Sequence, residues 1–497
     1  MPQQPLDRRR NAAEKQHEQD QSVEPQGTLR PIRRTGPWPP GQSRGPMPEP
    51  RDPSTPFRLR SDLSVYMHPG LTDACSISHV MRNLALTLYR GWHADVCWEY
   101  QANLPQTVSC PSYLGQTEHM LRKPTDPYVR FGWGVNADLM PAGDPLEYGR
   151  MLVVTSDHGW VKSKGAIKRM TEPHVSLLMT LSPECEEVLV DAGVPRERIA
   201  RLRLGIDPVL YKPEGPKCEA EVSRWLHGNK PEEGAFTFLT AGYMQPRKGG
   251  RETVEAFCRA FEGRRDVSLI VKNVVDHGRW GKDETEAYEQ IMRKYDAPPV
   301  GYMQAVLSEY QMAALLRDVD CVVNMHRREG FGLMMLQAMA CGTPTLMTDF
   351  HGPRQYATQE NCYILPIVDK QPEATSSPGD DGQKIDWAVY DLDTAAALMW
   401  EAAGRSREKT IVAAGLATAE LWTWEDAAEQ FVETMENHIG NLKRRPTKWF
   451  SHDVPYSVVM PVRHGVGKFV TTLKTLHGIC DPPEVVVYDD AGTMDEY

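Results

Sequence analysis

From residue 63 to about residue 435, short apolar runs alternate with stretches of helical periodicity, and this rhythm commits the chain to an α/β architecture. Leu63-Ser-Val-Tyr-Met67 reads as a strand. A helix follows over about 76–89, with Ile77, Met81, Leu84, Ala85 and Leu88 on one face, and Gly91 closes it. Further strands are expected over 94–98, 150–154 and 175–179, then a helix over 183–192. Strand, helix and strand in succession predict a parallel sheet covered on both faces. A linker holding Pro213, Gly215 and Pro216 ends this lobe, and the rhythm then starts again. Strands are expected over 236–242, 267–272, 321–325, 345–347 and 362–365, with helices near 250–262, 308–318, 333–340 and 393–404. The stretch 371–382 reads as a loop insertion, and a long helical tail runs to about Ile439.

The flanks are different in kind. Residues 1–60 carry 12 prolines and almost no periodic apolar residues, so they bury too little surface to offset their ordering entropy and are expected to be disordered. They hold 11 Lys or Arg against 7 Asp or Glu, a net of +4; the whole chain is at −11, which leaves −15 for the remainder. An acidic body has no electrostatic footprint for a phosphate backbone, while the basic tail could meet an anionic or protein partner. The expected division is therefore a tail (1–60), a first lobe (61–215), a second lobe (216–440), a linker (441–455) and a fragment (456–497). In the fragment two strands, over 456–461 and 484–488, flank a helix near 470–476, a β-α-β unit too small to close a core of its own. No apolar run reaches the ~18 residues needed to cross a bilayer, and the opening Met-Pro-Gln-Gln-Pro lacks a secretory core. Ten cysteines without a Cys-x-x-Cys pair suit a reducing compartment, so the cytoplasm is expected, with neither a zinc site nor a disulfide framework.

The chemistry concentrates in Arg328-Glu-Gly-Phe-Gly-Leu-Met-Met-Leu-Gln337, followed by Ala338-Met-Ala-Cys-Gly-Thr-Pro-Thr345. A strand ends in a loop here and a helix begins near Leu333. Gly330 and Gly332 allow backbone to approach a ligand closely, and the helix start offers N–H groups and a positive dipole end to a phosphate. Glu329 precedes that helix, and Gln337 lies about two turns into it. Met334, Met335 and Met339 read as core packing.

This stretch resembles the Glu-x7-Glu signature of the family-4 retaining glycosyltransferases, whose GT-B fold sets two Rossmann-like lobes face to face. The resemblance implies that Glu329 approaches the donor's sugar hydroxyls and that Gln337, where the family has a second Glu, meets the ribose; Gly330, Phe331, Gly332 and Leu333 belong to the same donor-binding stretch. Phe238-Leu-Thr-Ala-Gly-Tyr-Met-Gln-Pro-Arg-Lys-Gly249 is similar to the family's strand and loop ending in Lys-Gly, which implies that Lys248 holds the donor diphosphate. The family often has Arg where this chain has Tyr243, and Arg247 is the candidate to supply that charge. Thr348-Asp-Phe-His-Gly-Pro-Arg354 and Asn361-Cys-Tyr-Ile-Leu-Pro366 resemble segments further downstream. In the first lobe, Gly70 stands in the turn near the donor phosphate, and His158 resembles the family's sugar-contacting histidine. The last segment, Ser457-Val-Val-Met-Pro-Val462 and Val485-Val-Val-Tyr-Asp-Asp-Ala-Gly-Thr-Met-Asp495, is similar to the opening of a family-2, GT-A-type domain.

The resemblance thus implies metal-independent, anomer-retaining transfer from a nucleotide-diphosphate sugar, with Glu329, His158 and Lys248 as the catalytic set and no cofactor. Two other readings stand beside it: a glycoside phosphorylase on the same fold, and a non-catalytic member that binds nucleotide-sugar or glycan. The sugar, base and acceptor are left open; glycan, lipid, protein and modified nucleic acid all remain.

Overall fold

A computed structural model describes residues 64–68, 76–92, 95–98, 128–133, 149–154, 167–168, 170–171, 175, 177–217, 222–242, 245–273, 284–374, 384–439, 457–462 and 484–489. The N-terminal tail and the 441–455 linker lie outside them.

The first sheet is built from β1 (Ser64–His68), β2 (Asp95–Trp98), β3 (Tyr128–Trp133), β4 (Gly149–Val154), β5 (Leu177–Thr180) and β6 (Ile199–Arg201), in the order β2-β1-β3-β4-β5-β6 and parallel throughout. Helix α1 (Ser76–Trp92) follows β1, and α2 (Pro183–Asp191) follows β5. Helix α2 starts where Ser182 accepts the Cys185 N–H at 3.2 Å with Pro183 as the first helical residue, a start signal visible in the sequence.

The strands of the second sheet are β7 (Arg224–Trp225), β8 (Phe236–Gly242), β9 (Val267–Asn273), β10 (Val300–Gln304), β11 (Cys321–Asn324), β12 (Thr345–Thr348) and β13 (Tyr363–Leu365). They run in the order β13-β12-β11-β8-β9-β10-β7. Between them lie α3 (Gly250–Ala260), α4 (Thr285–Met292), α5 (Glu309–Asp318) and α6 (Leu333–Ala340). Among these described strands only β7 is antiparallel to its neighbour. Alternate residues of the strands face opposite cores. Leu239, Ile270, Met303, Val322 and Met347 join one cluster; Phe238, Leu269, Val271, Tyr302 and Val323 join the other. Burial on both faces is what makes these strands read as continuous apolar runs.

Strands β3 and β10 and helix α4 escape a reading of periodicity alone. Gly132 and Gly301 interrupt the apolar runs, and Gly301 is needed because a Cβ there would lie 2.6 Å from Val222. The stretch expected as a loop insertion is partly a hairpin: β14 (Asp369–Ala374) pairs antiparallel with β15 (Lys384–Val389), and 375–383 lie outside the described residues. Helix α7 (Leu392–Ala403) comes next, and the single long tail expected after it is two helices, α8 (Glu408–Ala419) and α9 (Trp424–Ile439).

The break between α8 and α9 has a cause. Thr423 forms a parallel bridge with Ile206 of the first lobe, and the Ile206 N–H donates to the Trp422 carbonyl at 3.0 Å. From there α9 packs on α1, with Ala427, Ala428, Phe431 and Met435 in one core with Met81, Leu84, Ala85 and Leu88. Beyond it, β16 (Ser457–Val462) and β17 (Glu484–Asp489) pair in parallel, and the helix expected between them lies outside the described residues.

Candidate active site

Six strands of the second sheet follow the order β10-β9-β8-β11-β12-β13, so strand succession reverses between β8 and β11. In an open parallel sheet the crevice beyond the carboxyl ends at such a reversal is where ligands bind. Two loops meet there, one after β8 and one after β11, and the backbone laces them together. The Arg247 carbonyl accepts the N–H groups of Arg327 at 2.8 Å and Arg328 at 3.3 Å. Gly249 takes φ 68°, and a Cβ on it would lie 1.9 Å from the Met325 carbonyl oxygen, which also accepts the Tyr390 hydroxyl at 2.5 Å. Gly352 donates its N–H to the Glu329 carbonyl at 3.0 Å, so close that a Cβ on Gly352 would sit 2.2 Å from the Gly330 oxygen. Gly332 caps α6 at φ 83°, and its carbonyl accepts the Tyr356 hydroxyl at 2.7 Å. Glycine at these turns is a requirement of close approach.

The lacing brings three charges together. The Lys248 ammonium ion-pairs with the Glu329 carboxylate, and the Arg247 guanidinium lies 4.0 Å from the same Glu329 oxygen. All three side chains are mostly buried. Burial opposes ionisation of Glu329, but Lys248, Arg247 and then His326 outweigh it and hold the carboxyl at about 2. His326 is fully enclosed: its Nε2 lies 2.8 Å from the Phe350 carbonyl and its Nδ1 3.2 Å from that of Asn324. Burial pushes the imidazole below its ordinary range, against the pull of Glu329. Neighbouring arginines brace the loop from behind. Arg328, buried, donates to the Asp386 carbonyl at 2.7 Å, while Arg327 pairs with Glu373 and stacks 4.8 Å from the centre of the Trp387 ring. The β14–β15 hairpin is therefore a buttress for Glu329.

Of the residues singled out from sequence, Arg247, Lys248, Glu329, Gly330 and Gly332 meet at this crevice. Leu333 opens α6 beside them. The Phe331 ring is buried against Tyr356 and Trp422, at 5.7 and 5.3 Å between centres, so what it offers a ligand is its backbone. Met335 and Met339 pack in the core as expected. Gln337 is buried, with its Nε2 3.4 Å from Nε2 of His79 on α1. That contact belongs to a network between the lobes unforeseen from sequence. His79 Nδ1 lies 3.1 Å from Glu309 of α5, and the same carboxylate accepts Arg82 Nε at 3.2 Å. Contacts across 227 to 258 residues of chain join these groups, so no local signal could have found them. His158, Gly70 and Tyr243 lie outside the described residues.

Known proteins share this second sheet. Residues 235–376 match the family described as glycosyl transferases group 1. A D-inositol 3-phosphate glycosyltransferase of Pseudarthrobacter chlorophenolicus is 24% identical over 275 residues, 55% of this chain and 59% of that protein. The chain thus spans about three fifths of that relative's length. Among solved structures, sucrose-phosphate synthase of Thermosynechococcus elongatus superposes with a TM-score of 0.53 at 16% identity, covering 76% of this chain and 99% of the other. Anabaena Alr3699/HepE, in complex with UDP-glucose, gives 0.50 at 14% identity, with 76% and 99% covered. The fold is GT-B, two Rossmann-like lobes with the second carrying the crevice described above. Among the described residues no helix is long and apolar enough to cross a membrane.

Proposed function

We propose that the chain is a retaining glycosyltransferase of family 4, moving a sugar from a nucleotide-diphosphate donor to an acceptor without a metal. The observation that carries this reading is the meeting of Lys248, Arg247 and Glu329 at the strand reversal, beside the start of α6. Departure of the nucleotide requires that negative charge growing on the diphosphate be met by fixed positive groups. Lys248 and Arg247 supply two such groups, and the N–H groups at Gly332 and Leu333 supply a third element. Glu329 is an obligate anion over the working pH range, a hydrogen-bond acceptor for sugar hydroxyls and not a proton donor. When the donor's phosphates take Lys248 and Arg247, the carboxylate is released toward the sugar. His158 meets the ring from the first lobe and Gly70 admits the phosphates there; a phosphate oxygen of the leaving group receives the acceptor's proton, so no separate base is required.

D-inositol 3-phosphate, which the relative's name carries, is the first acceptor to try. The reading extends to a cytoplasmic setting, to a basic tail that meets an anionic or protein partner, and to residues 456–497 as a segment similar to the opening of a GT-A-type domain. The deciding experiment screens UDP-, GDP- and ADP-sugars for thermal stabilisation, where a ligand at 100 times its Kd adds about 2.7 kcal/mol. Proton NMR of the product with the stabilising donor then reports the anomer formed. Stabilisation without turnover would make the chain a binding member, and sugar phosphate formed from a glycoside and free phosphate would make it a phosphorylase.

A further inference from the structure

Gln337 is 6% exposed, and its side-chain amide carries donors on nitrogen and an acceptor on oxygen. The nitrogen is engaged. Nε2 lies 3.4 Å from Nε2 of His79, which stands in the first turn of α1, across from α6 on the other lobe. Among the described residues nothing donates to the Gln337 Oε1. Which end of such an amide meets a ligand depends on what holds the other end, and here His79 holds it. The Nδ1 of His79 lies 3.1 Å from the Glu309 carboxylate of α5, which also accepts Nε of Arg82 at 3.2 Å. An ionised carboxylate only accepts, so the ring carries its hydrogen on Nδ1 and leaves a lone pair on Nε2. A lone pair takes the amide nitrogen and rejects the amide oxygen. Asn83 is committed elsewhere: its Nδ2 donates to the His79 backbone carbonyl at 2.9 Å and stands 3.5 Å from each ring nitrogen. Arg82, Glu309, His79 and Gln337 thus form one chain of donors and acceptors whose direction is set at the arginine.

We infer that His79 is a positioning residue that turns the Gln337 carbonyl oxygen toward the donor, making the amide a fixed acceptor for hydroxyl groups. Leu333, at the start of α6, and Gln337 share a helix face and stand roughly 6 Å apart along the axis. The inference rests on the donor reading and names the part of the donor involved. With the diphosphate at the start of α6 and the sugar at Glu329, the group one step from the phosphates on the other side is the ribose. Its 2′ and 3′ hydroxyls are the donors that an open carbonyl oxygen takes.

The test uses the full chain, calorimetry, and UDP, ADP and GDP, each beside its 2′,3′-dideoxy form. The native chain should bind a ribose form about tenfold more tightly than its dideoxy partner, the scale of one or two hydrogen bonds. His79→Leu should reduce that preference about fivefold and leave the dideoxy affinity unchanged, because only the hydroxyl contact is disturbed. Adding Gln337→Glu to His79→Leu should restore the preference, since a carboxylate presents oxygen whichever way it turns. A merely structural role for His79 would weaken both forms alike, and that result overturns the inference. A second readout is made on the native chain: nitrogen-15 spectra of the His79 ring should show hydrogen on Nδ1 and none on Nε2, and a hydrogen on Nε2 overturns the inference. If Gln337→Ala loses the preference while His79→Leu keeps it, or the native chain binds both forms equally, the donor reading stands and the role of His79 falls. If the native chain binds none of these probes, both fall.

Discussion

A Cβ on Gly249 would lie 1.9 Å from the Met325 carbonyl oxygen, so the turn after β8 and the end of β11 touch through bare backbone. Gly249→Ala must separate them, and at φ 68° it adds backbone strain as well. We expect a loss of more than about 3 kcal/mol by urea unfolding, near the top of the range for single substitutions. Donor binding should be lost with it, because Lys248 and Glu329 are held together by that contact.

Glu329→Ala and Lys248→Ala are expected to lower kcat/KM by about 10²–10³, the usual cost of removing one group that meets charge or orients substrate in the transition state. Single-turnover measurements with a saturating donor check this. Near-native turnover by both variants would contradict the assignment.

Acid should destabilise the fold through two carboxylates. Burial opposes ionisation of Glu309, but His79 and Arg82 outweigh it and hold the group at about 2, against an ordinary 4.5. Glu329 is held equally low. A depressed folded pKa means stabilisation that is complete above the ordinary value of 4.5 and lost as pH falls toward 2. Urea midpoints should therefore decline through this window. Glu309→Gln should flatten the decline and cost on the order of 3 kcal/mol at neutral pH, because it removes the charge that Arg82 meets.

His351 occupies φ 54°, ψ −139°, a region natural to glycine, and its buried Nδ1 finds no partner among the described residues. Burial, reinforced by Arg328 and His326, keeps the ring's pKa well below the ordinary range. Replacing it with glycine relieves the strain and removes an orphaned polar atom. His351→Gly should raise stability by about 1–2 kcal/mol, measured as a higher unfolding midpoint.

The α/β class was legible because central strands of the second sheet, β9, β11 and β12, are buried on both faces and so read as short apolar runs. The crevice was legible for a local reason: Glu329, Gly330 and Gly332 lie within four residues of one another, and Lys248 stands in a turn just past a strand end. What escaped depends on distance along the chain. Arg82 meets Glu309, and Gln337 meets His79, only after two lobes have docked. The split of the tail at 420–423 was equally hidden, since the residue that breaks the helix is recruited by Ile206, far upstream.

That recruitment ties the lobes twice, once where the chain passes forward near Pro213 and again where it returns at Thr423. The returning strand presses on Gly205, where a Cβ would strike Thr423 at 2.2 Å, so any side chain there would push the chain off the first lobe and unseat the helix that follows.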